Sequence, residues 1–178
     1  MKKILLLIFL FTAPYLSSQD SKKLWGGIEI GYGISLSDDG DSYNTSYGSE
    51  NKMAISSIRG VIGYYIIPEL SLGAGVGLNS YTKPGVNILP VWFDIRYHPF
   101  TNKKIQLNGD LGYTVVTSES KQKGKLLTDL SIGYKLFNFK RISLQPAIGY
   151  NFCNYSIEET KRFNQSRHSL FLKISILF

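Results

Sequence analysis

The sequence predicts an all-β chain, with eight antiparallel strands in up-and-down order closed into a transmembrane β-barrel. Three observations carry that expectation. The stretch "HSLFLKISILF" alternates without a break, apolar at Leu170, Leu172, Ile174, Ile176 and Phe178 on one face and mixed on the other. The same period of two recurs in seven earlier segments, while helix-period patterns are scarce. The connections between segments alternate between long polar loops, "SDDGDSYNTSYGSENK" and "NYSIEETKRFNQS" the longest, and the short turns "IPE", "PFTNKK" and "FNFKR", which puts both ends of the meander on the short-turn side.

The chain opens "MKKILLLIFLFTAPYLSSQD", with two lysines, an apolar run from Ile4 to Phe11, and small or polar residues at Ser17 and Ser18. That order predicts a signal peptide over residues 1–18, cleaved before Gln19, and one exported domain over residues 19–178. The run falls short of the roughly 20 residues a helix needs to cross a bilayer, and no later segment supplies them. With Cys153 the one cysteine, an internal disulfide is impossible. The net charge of +7 falls to +5 once Lys2 and Lys3 leave. The cations are scattered along the chain, which together with export argues against nucleic acid and favours solvated loops, buried pairs and contact with anionic headgroups or polysaccharide.

The first strand, "LWGGIEIGYGISL", puts Leu24, Ile28, Ile30, Tyr32, Ile34 and Leu36 outward, against inward Trp25 and Glu29. The second, "AISSIRGVIGYYI", sets Ile58, Ile62 and Tyr64 against Ser57, Arg59 and Tyr65. In the third, "LSLGAGVGLNS", the inward face is glycine at 73, 75 and 77, leaving room for Trp92, Arg96 and Tyr65. A dinucleotide-binding reading of "GAGVG" fails because no helix pattern follows it. The fourth, "LPVWFDIRYH", sets Val91, Phe93, Ile95 and Tyr97 against Trp92, Asp94, Arg96 and His98. The fifth turns Gln106, Asn108 and Asp110 inward, and the sixth Asp129, Ser131 and Lys135. The seventh, "ISLQPAIGYNF", carries Pro146 mid-strand, where no ladder hydrogen bond can be donated, and so predicts a bulge. The terminal segment is the eighth.

None of the outward positions assigned this way is charged. In a soluble sandwich the polar faces would carry abundant Lys and Glu, whereas here they hold Gly, Ser, Asn and single charges, as a crowded interior would. In lipid every backbone donor and acceptor must be paired, so a spanning sheet has to close on itself. Eight strands enclose a lumen that side chains fill. The expected inward charge network is Glu29, Asp94, Asp110 and Asp129 against Arg59, Arg96, Lys135 and Lys173. Tyr64, Tyr97 and Tyr134 fall at the short-turn end, where an interfacial aromatic girdle is expected.

With the leader, the alternating turns, the stretches "YYIIPELSLGAGVGL" and "LPVWFDIRYHPF", and the terminal "LFLKISILF", the chain resembles the small outer-membrane β-barrel proteins of the OmpX and OmpA-transmembrane-domain type. The resemblance implies residence in the outer membrane among its lipids. It also implies that Leu170, Leu172, Ile174, Ile176 and Phe178 form a C-terminal signal read by the barrel-assembly machinery. Some barrels of this kind modify lipid A. The deacylase pattern places Ser two residues after His on one strand face; after His168 that position is Leu170, and Ser169 points the other way.

No catalytic, cofactor-binding or metal site is expected. His98 and His168 are isolated, Cys153 has no activating neighbour, and "SDDGD" around Asp38, Asp39 and Asp41 lacks ordered calcium-ligand spacing. The expectation is a structural or surface-binding barrel whose extracellular loops contact an unspecified ligand. A narrow solute channel, a lipid A-modifying enzyme and a soluble lipocalin-like barrel are the alternatives.

Overall fold

The computed structural model describes residues 23–39, 54–81, 86–116, 122–139, 142–157 and 163–178. The expected leader and Asp41 lie outside the described residues. The strands are β1 (Leu24–Asp39), β2 (Ala54–Ile67), β3 (Leu70–Tyr81), β4 (Val86–Tyr97), β5 (Ile105–Val116), β6 (Gln122–Tyr134), β7 (Phe137–Phe139), β8 (Ile142–Ile157) and β9 (Phe163–Leu177). β1 through β6 pair antiparallel in sequence order, β6 pairs with β8, β8 with β9, and β9 with β1, which closes the sheet. The short β7 continues β6 along the same edge of β8, so nine segments make eight staves.

The faces are inverted relative to a water-soluble protein. On β9, Phe171, Lys173, Ser175 and Leu177 are buried, while Leu170, Leu172, Ile174, Ile176 and Phe178 are exposed. Phe93, 75% exposed, looks outward from β4, whereas Arg59 on β2 is 2% exposed inside. Such an exterior is stable only where the surroundings are apolar, because burying charges while exposing large aliphatics reverses the hydrophobic driving force in water. Tyr64, Tyr97 and Tyr134 ring the short-turn end of this belt, joined by exposed Phe100, Phe137 and Phe139.

The bulge expected at Pro146 is present, with its extra residue on the facing strand rather than on β8. β8 runs through Pro146 in unbroken register with β9, opposite Ile174. The irregularity lies on the other neighbour: the ladder jumps from Gly133↔Ala147 to Phe137↔Leu144, leaving three residues opposite two. A strand without an N–H at this point loses nothing if its partner swings away there. Two expected connections are also strands. "FNFKR", read as a turn, supplies β7. The stretch from Asn154 to Ser166, read as a polar loop, continues the β8–β9 ladder through Tyr155↔Gln165 to Ile157↔Phe163, because its backbone can pair whatever the polarity of its side chains.

The glycines of β3 make room for large side chains, though not all those expected. A Cβ on Gly75 would strike the Trp92 ring, one on Gly77 would lie 2.8 Å from Arg59 Cγ, and one on Gly73 would lie 2.6 Å from the Ile62 carbonyl oxygen. Trp92 is therefore accommodated as expected, and Arg59, which the expectation did not include, lies against Gly77. Gly75→Ala is expected to destabilise the barrel by about 1–3 kcal/mol through overpacking. Gly60→Ala, where a Cβ would meet only a carbonyl oxygen at 3.9 Å, should stay within about 0.5 kcal/mol. Urea unfolding of the two variants in lipid vesicles checks the pair.

Candidate functional site

The centre of the lumen is built around three carboxylates that register places side by side. Asp94 on β4 stands opposite Asp110 on β5, which stands opposite Asp129 on β6. Like charges directly across a sheet repel, so cations must reach them. Arg59, from β2, donates through Nη1 to Asp129 Oδ2 and lies 3.6 Å from Asp110. Lys173, from β9, places Nζ 3.2 Å from Glu29 Oε2 and 3.9 Å from Asp110 Oδ2. Arg96 donates from Nη2 to Glu29 Oε1 and from Nε to Asp94 Oδ1, each at 2.8 Å.

Neutral groups complete the network. Ser175 Oγ donates to Glu29 at 3.0 Å, Asn151 Nδ2 donates to Asp129, and Arg59 Nε donates to Asn79 Oδ1 at 3.4 Å. Both arginines also lie over aromatic rings. Arg96 is 4.1 Å from the Trp25 centroid, while Arg59 is 5.1 Å from Trp92 and 5.2 Å from Phe171. Planar guanidinium suits this double duty, pairing with carboxylate at its edge and stacking on its face.

Apolar groups bound the charged layer at both ends. Towards the long loops Ile55, Tyr81, Ile88, Leu127 and Cys153 pack together, with Arg167 lying 4.9 Å over Tyr81. Towards the short turns Trp25, Val61 and Leu177 form a second cluster with Tyr65 against it. The described lumen is thus filled in three levels.

Of the expected network, Glu29, Arg59, Asp94, Arg96, Asp110, Asp129 and Lys173 converge inside. Lys135 does not. It follows the end of β6, half-buried at the short-turn end, because the strand breaks there opposite Pro146. Among the described residues the fourth buried Lys or Arg is Arg167, fully buried on β9. It shares the inward parity of Ser169, Phe171 and Lys173, and extending that alternation two residues before Ser169 would have found it. The expected assembly residues Leu170, Leu172, Ile174, Ile176 and Phe178 all lie on the exposed face of β9.

His168 lies at the long-loop rim with Nδ1 against the Tyr150 hydroxyl and its ring 5.0 Å from Phe152. Leu170 is exposed on the same wall, and Ser169 is buried on the other face. No group of three His, Cys, Asp or Glu side chains suited to a metal occurs among the described residues.

No protein-family model matches the chain, and no curated protein matches it. Solved structures do. The crystal structure of Neisserial surface protein A, NspA, aligns over 87% of this chain and 97% of that one, with 12% identity and a TM-score of 0.57. The crystal structure of the outer membrane protein OprG from Pseudomonas aeruginosa aligns over 88% and 96%, with 12% identity and a TM-score of 0.51. Identity this low speaks for architecture, and activity has to be argued from the site. By its closed antiparallel sheet, its inverted faces and these two alignments, the chain has the fold of the small eight-stranded outer-membrane β-barrels.

Proposed function

We propose that this protein is exported through a leader over residues 1–18, enters the outer membrane and serves as a rigid, closed barrel whose long loops make contacts at the cell surface. The filled lumen is the observation that carries the reading. Arg59, Arg96 and Lys173 are each no more than 2% exposed among their carboxylates, and the apolar cluster at Ile55, Tyr81, Ile88, Leu127 and Cys153 lies between them and the long-loop end. A sheet closed on itself holds the loops at fixed spacing, and loops on a rigid scaffold are where binding resides. In this reading Leu170, Leu172, Ile174, Ile176 and Phe178 are presented to the assembly machinery as β9 closes against β1. The reading assigns the protein no catalytic step.

Two measurements test it. Expressed in a Gram-negative host, the chain is expected in the outer-membrane fraction, with faster gel migration unboiled than boiled. In planar bilayers the purified barrel is expected to give no stepwise conductance. Regular unitary steps would overturn the closed-barrel reading in favour of a narrow channel. Recovery as a soluble protein would overturn the membrane reading.

A further inference from the structure

The end of the barrel opposite the long loops carries a feature that the surface role does not use. A cavity of about 380 Å³ opens there between the turns. Three lysines from separate segments line it: Lys23 ahead of β1, Lys103 in the β4–β5 turn, and Lys135 between β6 and β7. Its floor is the stacked pair of Tyr65 and His98, with ring centroids 6.4 Å apart. At its edge stand Ile66 and Ile67, half exposed on the outer wall beside the aromatic girdle.

Lys103 and Lys135 are near enough to repel each other, while the Lys23 ammonium lies over the Tyr64 ring, 5.9 Å from its centroid. None of the described lining residues is acidic. Glu69, in the neighbouring turn, bonds here through its carbonyl oxygen, which accepts from the His98 main-chain N–H at 2.7 Å. Lys103 is held at a φ of 51°, a left-handed conformation that a residue with a Cβ seldom adopts. The turn fixes it there: Lys103 N–H donates to the Phe100 carbonyl at 2.9 Å, and Lys104 N–H to Asn102 Oδ1 at 3.1 Å. Lost hydration and the neighbouring Lys103 both push the Lys135 ammonium below its usual range. Burial likewise lowers His98, more than the Ile105 carbonyl bond raises it, with Lys135, Lys103 and Arg96 adding to the lowering. A bound anion would relieve this repulsion, and two ammonium groups beside an imidazole in one cavity suit the oxygens of a phosphate.

We propose that this cavity is a binding site for a phosphate group, at the level where the lipid-facing belt ends. The same chemistry is offered by a phospholipid headgroup and by free phosphate, and the experiment separates the two. The refolded chain in neutral detergent is titrated calorimetrically with inorganic phosphate, against chloride at equal ionic strength. Its retention of phosphatidylglycerol over phosphatidylcholine is read by native mass spectrometry. The test variant combines Lys103→Gly, which suits the left-handed turn, with Lys135→Gln. Lys104→Gln changes a lysine of the same turn outside the cavity.

Phosphate is expected to bind saturably, and about tenfold or more weakly in the double variant, since losing even one charged hydrogen bond is worth about that factor. Lys104→Gln should match the parent, and the gel shift on boiling should persist in both variants. Selective retention of phosphatidylglycerol, lost with the double variant, identifies a headgroup as the source. Phosphate binding without that selectivity identifies the soluble anion. No saturable phosphate binding, or equal binding by the double variant, overturns the proposal while leaving the surface role of the loops intact.

Discussion

Ile174→Lys is expected to cost the folded barrel about 2–4 kcal/mol, the penalty of a lysine on the lipid face at mid-bilayer. Ile174 is the middle of the five exposed residues on β9, 54% exposed and flanked by Ile30 on β1 and Pro146 on β8. An ammonium there has hydrocarbon on every side and no carboxylate within the wall to meet it. On the surface of a water-soluble protein the same change would stay within about 0.5 kcal/mol. The measurement is urea unfolding from lipid vesicles, with the unboiled gel band reporting the folded fraction. Leu170→Lys supplies the depth control: near the interface the cost should fall to about 0–1 kcal/mol. Equal costs at both positions would show that no hydrocarbon slab is centred on Ile174. Lys173→Met, one residue along, should fail differently. It should still insert, but unfold at lower urea because Glu29 and Asp110 lose a cation.

That contrast rests on the feature most legible in the sequence. A barrel wall has one solvent on each side, so the period of two writes the face of each residue directly into the chain. The outward set from Leu24 to Phe178 could be assigned without coordinates for that reason. Alternation says nothing about where a strand stops. Ile157 and Phe163 sit among polar neighbours, yet their backbones pair; stopping short of that ribbon also hid Arg167. Nor does alternation give register. That Asp94, Asp110 and Asp129 stand directly opposite one another depends on the lengths of two turns and is invisible until the strands are aligned. The same ignorance of register let Lys135, of the right charge and parity, be placed in a network it does not reach. The phosphate-site lysines were harder still, since they come from the connections, where no period exists to read.

Register also sets up the other large effect, Arg59→Met, with an expected loss of about 3–5 kcal/mol, as for a buried ion pair stripped of one partner. Methionine keeps most of the stem, which lies against Gly77, so the loss isolates the guanidinium and its place over Trp92 and Phe171. Without it Asp129 retains Asn151, and Asp110 retains only the more distant Lys173 at 3.9 Å among its cations. Two adjacent carboxylates then face each other in a closed lumen. The companion variant, Arg59→Met with Asp129→Asn, removes the stranded charge and should recover more than half of the loss. A buried pair replaced as a unit is often close to neutral, since its attraction mainly offsets the desolvation of both ions. Recovery would therefore mean that the network's free energy lies in matching. The charges would then act on specificity, because a slip of one residue turns each side chain to the other face and leaves the acidic row uncompensated. If Arg59→Met alone costs less than about 1 kcal/mol, within the range of an exposed pair, something other than the arginine neutralises the three carboxylates. The role of the lumen in fixing register would then fall with it.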